Sequence, residues 1–144
     1  MRESNVTVST TAISTAAVEA YQDLKLKRSF RYIIFTLSED FSEVVVEKTS
    51  ASGGYNDFLE DLPEDECRFA VYDLEFEVED GGKRNRIVFF SWAPDDAKLK
   101  QKMLFANSRD DLKRTLTGVG LEISGTDPGE VSYEAVVDKA SRGN

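Results

Sequence analysis

The chain has 144 residues, of which 40% are hydrophobic and 31% charged, and it carries a formal net charge of −9 with one cysteine and no histidine. This composition suits one globular domain. A single cysteine cannot form an internal disulfide, and without histidine the chain lacks the usual zinc ligand and the usual catalytic base. The negative net charge argues against nonspecific nucleic-acid binding, which needs a broad basic surface. No apolar run approaches a membrane span and the polar N-terminus resembles no secretory signal, so we expect a cytoplasmic protein.

The first half of the chain alternates between helical and strand patterns. Apolar residues recur at three- and four-residue steps from Ile13 to Leu24, which predicts a helix. Two runs rich in aromatic and β-branched residues predict strands joined by a turn, and Pro63 ends a short helical segment. Residues 1–10 have no periodic apolar pattern and predict a mobile arm, which leaves 11–144 for the domain. The predicted elements of this half are a helix over 13–24, strands over 30–37 and 43–48, and a helix over 55–62.

The second half predicts a hairpin, a long helix, an edge strand and a last helix. In the long helix, the apolar residues before Asn107 and those after Ser108 fall on different helical phases, so we predict a kink or a restart between them. The first phase holds Leu99, Met103 and Ala106, and the second holds Leu112 and Leu116. Asp127 is predicted to cap, and Pro128 to begin, a last helix through Ala140. The strands are predicted over 67–78, 86–92 and 119–124.

The order of these elements indicates the fold class. Helices alternate with strands, and hairpin turns join two pairs of strands, so the sheet should contain antiparallel and parallel neighbours. The continuous apolar run over 86–92 is typical of a strand covered on both faces. We therefore predict a single α/β (α+β) domain with a central mixed sheet of five to six strands and helices on both faces.

Little in the sequence indicates catalysis. No glycine-rich phosphate loop opens a helix, and the acid-rich run over 57–80 lacks the spacing of a calcium loop. The pairs Asp95–Asp96 and Asp110–Asp111 could serve a carboxylate-dependent hydrolase, but both stand at predicted helix starts, where the helix dipole favours carboxylates. Cys67 and Trp92 lie in apolar strand patterns and are predicted core residues. We predict no metal, no cofactor and no enzymatic activity.

Positive charge is concentrated in one segment of this acidic chain. Residues 83–114 hold nine of the eighteen Lys and Arg side chains against four acids, a local charge of +5. On a helix, Lys98 and Lys102 are neighbours because they are four residues apart, whereas Lys100 lies on a flank. Positive charge concentrated on one helix would orient a negatively charged partner. Surface lysines can also serve only to keep a protein soluble.

A set of short motifs resembles the cofilin, or actin-depolymerising-factor, family. Their order and spacing match from about Ser4 to Gly143, which is far more specific than any single motif. The motifs are Asp23-Leu-Lys-Leu26, Val44-Val-Val-Glu47, Tyr55-Asn-Asp-Phe58, Leu62-Pro63, Cys67-Arg-Phe-Ala-Val-Tyr-Asp73, Gly82-Lys-Arg-Asn-Arg-Ile87, Trp92-Ala-Pro-Asp95, Lys100-Gln-Lys-Met103, Ala106-Asn-Ser-Arg-Asp110 and Gly125-Thr-Asp127.

The resemblance implies a fold, a function and a set of site residues. It implies the actin-depolymerising-factor homology fold and a protein that binds actin monomers, preferably in the ADP form, and actin filaments, which it severs and depolymerises. The implied surface for monomers and filaments comprises Ser4, Asn5, Val6, Lys100, Lys102 and Met103. The implied filament-specific surface comprises Arg84, Arg86, Asp138, Lys139 and Arg142. Ser4 matches the serine whose phosphorylation inactivates family members.

Two departures from the family pattern concern the arm. Asn5 stands where the family commonly has glycine, and the segment between Val8 and Asp23 is a few residues longer than usual, which makes Ser9 the alternative phosphorylation site. The resemblance leaves open a coactosin-like relative that binds filament sides without severing. It also leaves open phosphoinositide head groups as ligands of the basic surface. We expect the protein to act as a monomer.

Overall fold

The computed structural model describes residues 11–142, in which six strands form one mixed sheet. The strands are β1 (Ala12–Ile13), β2 (Tyr32–Leu37), β3 (Glu43–Ser50), β4 (Arg68–Glu77), β5 (Lys83–Trp92) and β6 (Leu121–Gly125). Their order across the sheet is β1-β3-β2-β4-β5-β6. The four central strands pair antiparallel, whereas β1 lies parallel to β3 and β6 parallel to β5 at the two edges.

Within residues 11–142, four α-helices connect and cover these strands. They are α1 (Thr15–Gln22), α2 (Tyr55–Glu60), α3 (Leu99–Thr115) and α4 (Tyr133–Ser141). A π-helical turn over Asp23–Lys27 continues α1, and a 3-10 turn over Pro128–Val131 precedes α4. No helix within residues 11–142 is long and apolar enough to cross a membrane.

The core has two layers because successive side chains of a strand point to opposite faces of the sheet. In β4, Phe69 and Val71 join one buried cluster, and Ala70 and Tyr72 join the other. The first cluster is closed by α1 and α3, and the second by α2 and α4. The predicted fold class, a mixed sheet with helices on both faces, is therefore confirmed.

The central strands were predicted best. Pairing of β4 with β5 runs from Arg68 opposite Trp92 to Glu77 opposite Lys83, so β5 begins three residues before its predicted start. The turn between these strands needs Gly81, whose φ of 87° lies in the left-handed region that favours glycine. Cys67 and Trp92 are buried, as predicted.

The predicted first helix starts too early. Ala12 N donates to Ser42 O at 3.1 Å and Ser14 N donates to Val44 O at 2.9 Å, so Ile13 belongs to a short edge strand. The helix begins only after Ser14, whose hydroxyl oxygen accepts from Ala17 N at 3.0 Å and caps it. A strand of two residues carries no period of its own, and only its pairing with β3 defines it.

The predicted break at Asn107–Ser108 is wrong, because α3 is one continuous helix. Ser108 is buried, and its hydroxyl donates to Leu104 O at 3.0 Å, which satisfies the group within the helix. The two apolar phases are two faces of the same helix: Leu112 points into the core and Met103 points to solvent. The helix-start interpretation of Asp110–Asp111 fails for the same reason, since both residues lie inside α3.

The predicted last helix is divided. Asp127 accepts from Glu130 N at 3.1 Å, but the structure that it caps is the short 3-10 turn beginning at Pro128. Ser132 then takes an extended conformation and caps α4 by accepting from Ala135 N at 3.2 Å. Two capping residues five positions apart therefore begin two separate elements.

Candidate functional site

The outward face of α3 carries an apolar row. Leu99 is 73% exposed and Met103 is 58% exposed, and residues four apart lie above one another on a helix. Lys100 lies on one flank of this row and Lys102 on the other, as the angular spacing of 100° per residue requires. The helix therefore presents an apolar row with ammonium groups on both sides. We call Leu99, Lys100, Lys102 and Met103 the α3 surface.

The opposite face of α3 fixes this surface relative to the sheet. Phe105, Ser108 and Leu112 are buried against the first core cluster. Near the start of the helix, the side-chain oxygen of Gln101 accepts from Cys67 N at 2.5 Å, which ties α3 to the beginning of β4. The outward residues are consequently held on a rigid element and not on a loop.

The cations of the basic segment divide into two groups. Arg109 and Lys113 both form ion pairs with Glu122 of β6, so their charge is used within the fold. Lys102 Nζ donates to Asp95 O at 3.1 Å, the carbonyl of a residue before α3. Lys100 is exposed and has no side-chain partner in the described part of the chain. The charge available to a partner is thus smaller than the local +5 implied. Near the start of α3 it lies on Lys100 and on Lys98, which is also exposed and forms no ion pair within residues 11–142.

The described chain begins beside α3. Thr11 N donates to Asp111 Oδ2 at 2.9 Å, and the hydroxyls of Thr11 and Ser108 share a hydrogen bond of 2.9 Å. The predicted site residues Ser4, Asn5 and Val6, the alternative Ser9 and the predicted mobile arm over 1–10 lie outside the described residues.

The residues predicted to contact only filaments lie on two elements that meet. Arg84 and Arg86 of β5 line a cleft of about 580 Å³ together with Val137, Ala140 and Ser141 of α4. Asp138 and Lys139 lie on the final turns of that helix, and Arg142 is the capping residue that follows it. Arg86 donates from Nη1 to Gly120 O at 3.1 Å, and Arg142 pairs with Asp138 at 2.7 Å. Arg84 and Lys139 form no ion pair within residues 11–142.

The chemistry that these groups offer is binding. Among the described side chains, no three His, Cys, Asp or Glu residues are grouped so that they could hold a metal ion. Burial raises the pKa of the Cys67 thiol, which keeps it protonated at neutral pH. An apolar row between ammonium groups is instead suited to a partner that buries apolar area and offers carboxylate or carbonyl acceptors.

Leu99 belongs to the α3 surface but was not among the predicted site residues, because the sequence analysis placed Leu99, Met103 and Ala106 in one helical phase without assigning that phase to a face. A signal for its exposure was present in the sequence. Phe105 lies seven residues before Leu112 and eleven before Leu116, so these three share one face and leave Leu99 and Met103 on another. Two apolar phases in one helix can mean two apolar faces, one buried and one used for binding.

Comparison with known proteins gives the family. The sequence model of the Cofilin/tropomyosin-type actin-binding protein family matches residues 10–141. The chain is 52% identical over 130 residues to the cofilin of Mycosarcoma maydis, which covers 90% of this chain and 94% of that protein. It is 44% identical over 133 residues to the cofilin of Saccharomyces cerevisiae, covering 92% of this chain and 93% of that protein. The crystal structure of Streptomyces griseoflavus cofilin matches with a TM-score of 0.87 and 57% identity, covering 93% of this chain and 99% of that one. The chain therefore belongs to the cofilin and actin-depolymerising-factor family, a family of actin-binding proteins and not a known family of enzymes.

Proposed function

We propose that this protein binds actin monomers, preferentially in the ADP form, and actin filaments, and that it severs and depolymerises the filaments. It acts as a monomer in the cytoplasm. The observation that carries the proposal is the α3 surface, in which exposed apolar side chains lie beside the ammonium group of Lys100, which has no partner within residues 11–142. Exposed apolar groups of this size on a rigid helix are typical of a partner site.

Sedimentation with filaments, combined with imaging of single filaments, tests this function. We expect the protein to pellet with filamentous actin and to increase the frequency of filament breaks. Binding without breakage would support a protein that only decorates filament sides. Absence of both at physiological salt, over a wide range of protein concentration, would overturn the proposal.

The α3 surface and the filament-specific surface would contact two different actin subunits. The α3 surface would bind one actin subunit, whether that subunit is free or part of a filament. The β5 and α4 residues would bind the neighbouring subunit, which is present only in the filament. Two contacts on one rigid domain impose a fixed distance and orientation on the two subunits. A filament whose own geometry differs would be strained at that junction, which is a physical route to severing.

The filament-specific surface predicts a separation of activities. We expect Arg84→Ala combined with Arg86→Ala to weaken filament binding at least about fivefold, while the affinity for monomers stays within about twofold. A charge-assisted hydrogen bond contributes about 1.5 to 3 kcal/mol, and an exposed one contributes less. Pelleting measures the first quantity, and fluorescence titration of labelled monomers measures the second.

The matched control for this double variant is Lys27→Ala combined with Lys48→Ala, which removes the same charge from an exposed ion pair with Asp23 and from a pair with the half-buried Asp61. A thermal unfolding curve checks that losing the Arg86 hydrogen bond to Gly120 O leaves the fold intact. Equal losses of monomer and filament binding would show that this hairpin does not form a filament-specific surface.

Phosphorylation of Ser4 is proposed as a switch of the α3 surface. Lys100 lies eight residues before Ser108, about 12 Å along the helix, and the chain from Ser4 to Thr11 can span up to about 24 Å. Because Thr11 is bonded to Ser108, a phosphate at Ser4 can reach Lys100. The phosphate would bring about 1.5 to 2 negative charges next to the lysines of the α3 surface and would compete with actin for their ammonium groups.

We therefore expect Ser4→Glu to reduce actin binding severalfold with little change in melting temperature, and Ser4→Ala to bind like the unmodified protein. Ser9→Glu is the companion variant, because the longer segment before Asp23 can shift the modified position. If only the Ser9 variant loses binding, the switch moves to that residue. If neither variant does, the switch is rejected.

Phosphoinositide head groups are proposed as competing ligands of the same surface. The ammonium group of Lys100, which has no partner in the described part of the chain, favours this second ligand, since phosphates accept hydrogen bonds from lysine as carboxylates do. Vesicles containing such lipids should displace the protein from actin in proportion to their phosphate content.

A further inference from the structure

A second concave surface lies where the segments after α2 and after β5 approach the 3-10 turn before α4. This cleft has a volume of about 700 Å³. Its apolar lining consists of Leu59, Leu62, Trp92, Pro94, Pro128 and Val131. Trp92 is held at the wall by a hydrogen bond from its indole nitrogen to Pro63 O at 2.7 Å. The cleft is thus built on the sheet and the end of a helix, which gives it a defined shape.

The remaining polar lining of this cleft is almost entirely anionic. Besides Thr126, it consists of Glu60, Glu64, Asp95, Asp96 and Asp127, and no cationic residue among 11–142 lines the cleft. None of these five carboxylates forms an ion pair within residues 11–142. Only Asp127 has a side-chain hydrogen bond in that range, the cap on Glu130 N.

Some acidic residues elsewhere in the described chain are neutralised by cations. Glu122 binds two cations of α3, Asp61 binds Lys48, and Glu47 binds Arg68. The cleft differs from these ion pairs because its carboxylates have no cationic partner within residues 11–142 and stand beside an apolar wall. Apolar walls reduce the local dielectric and strengthen the field of the rim charges inside the cleft.

We propose that this cleft binds a basic segment of a partner protein. An apolar side chain of the segment would enter beside Leu62, Trp92 and Val131, and a neighbouring lysine or arginine would pair with the carboxylates of the rim. The required chemistry is opposite to that of the α3 surface, which is positive. The two surfaces adjoin, because Asp95 of the cleft lining accepts from Lys102 Nζ through its backbone carbonyl. Binding of a basic segment to the cleft nevertheless does not depend on the proposed actin activity.

The only tryptophan of the chain reports on this cleft, because Trp92 lines it. The probes are two acetylated peptides, Leu-Lys-Leu-Arg and Phe-Lys-Phe-Arg, and the same peptides with glutamate in place of both cations. We expect the basic peptides to change Trp92 fluorescence saturably below about 1 mM at low salt, and the glutamate peptides to leave it unchanged. Amide and indole nuclear magnetic resonance shifts should move around Trp92 and Val131.

The cleft variant is Glu64→Gln combined with Asp96→Asn, which alters two exposed side chains without hydrogen bonds to described residues. We expect it to bind the basic peptides at least about threefold more weakly, since exposed ion pairs contribute modestly. Its matched control is Glu75→Gln combined with Glu77→Gln on exposed positions of β4, which removes the same charge outside the cleft.

The control variant should bind the peptides like the original chain. Equal weakening in both variants would show that only net charge matters and would overturn the proposal. It would also be overturned if neither basic peptide produced a saturable change, or if the resonance shifts clustered away from the cleft. Pelleting of the cleft variant with actin is measured in parallel, so that a failure of this site and a failure of the α3 surface are seen separately.

Discussion

Replacing Lys100 and Lys102 together with alanine is expected to weaken the affinity for actin monomers and for filaments by at least about tenfold. Each lysine on the α3 surface can donate charge-assisted hydrogen bonds, worth about 1.5 to 3 kcal/mol apiece when their partner is buried by binding. About 1.4 kcal/mol corresponds to a factor of ten in affinity, so the loss of two such bonds exceeds that factor even after partial solvation.

The two lysines should contribute unequally. Lys102 already donates to Asp95 O at 3.1 Å and must share or break that bond, whereas Lys100 has no partner among the described residues. We therefore expect Lys100→Ala alone to cost more affinity than Lys102→Ala alone. Titration of labelled actin monomers measures both. The charge-matched Lys27→Ala and Lys48→Ala control should bind normally, and unchanged affinity in the folded Lys100 and Lys102 variant would mean that these lysines only increase solubility.

Replacing Leu112 with alanine is expected to lower the free energy of unfolding by about 2 to 5 kcal/mol, because the side chain is fully buried and its loss leaves a cavity beneath α3. Replacing Met103 with alanine on the same helix should change that free energy by less than about 0.5 kcal/mol, since Met103 is mostly solvated. The two variants therefore separate the buried face of the helix from the exposed one.

Urea unfolding followed by circular dichroism measures the stability of both variants, and pelleting with filaments measures their binding. We expect Met103→Ala to lose binding with its unfolding midpoint unchanged, and Leu112→Ala to show the large shift in midpoint. A Met103 variant that loses stability but not binding would mean that the exposed row supports the fold and does not contact the partner.

The strands could be predicted from the sequence because their signals are local. β4 shows the acidic and apolar alternation of a half-solvated strand in its second half, and β5 shows the continuous apolar run of a covered one. Both were assigned to within three residues. The family resemblance extended this local information to the whole chain and is borne out by the comparisons.

Other features could not be predicted because they depend on residues distant in the chain. The edge strand at Ile13 exists only through its pairing with Val44, and two residues show no period. The continuity of α3 depends on a buried serine that finds its acceptor inside the helix and a second partner in Thr11. The pairing of Arg109 and Lys113 with Glu122 required the register of β6 against β5.

The sequence by itself determined the strand pattern, the acidic character of the chain, the single basic segment and the family. The spacing of apolar residues, the composition and the order of the motifs can all be read directly from the amino-acid sequence. Only the tertiary structure decided which face of α3 is buried, which cations remain unpaired and which carboxylates converge on the cleft beside Trp92. Burial and ion pairing depend on distances between segments far apart in the chain, and those distances exist only once the two core layers have closed on the sheet.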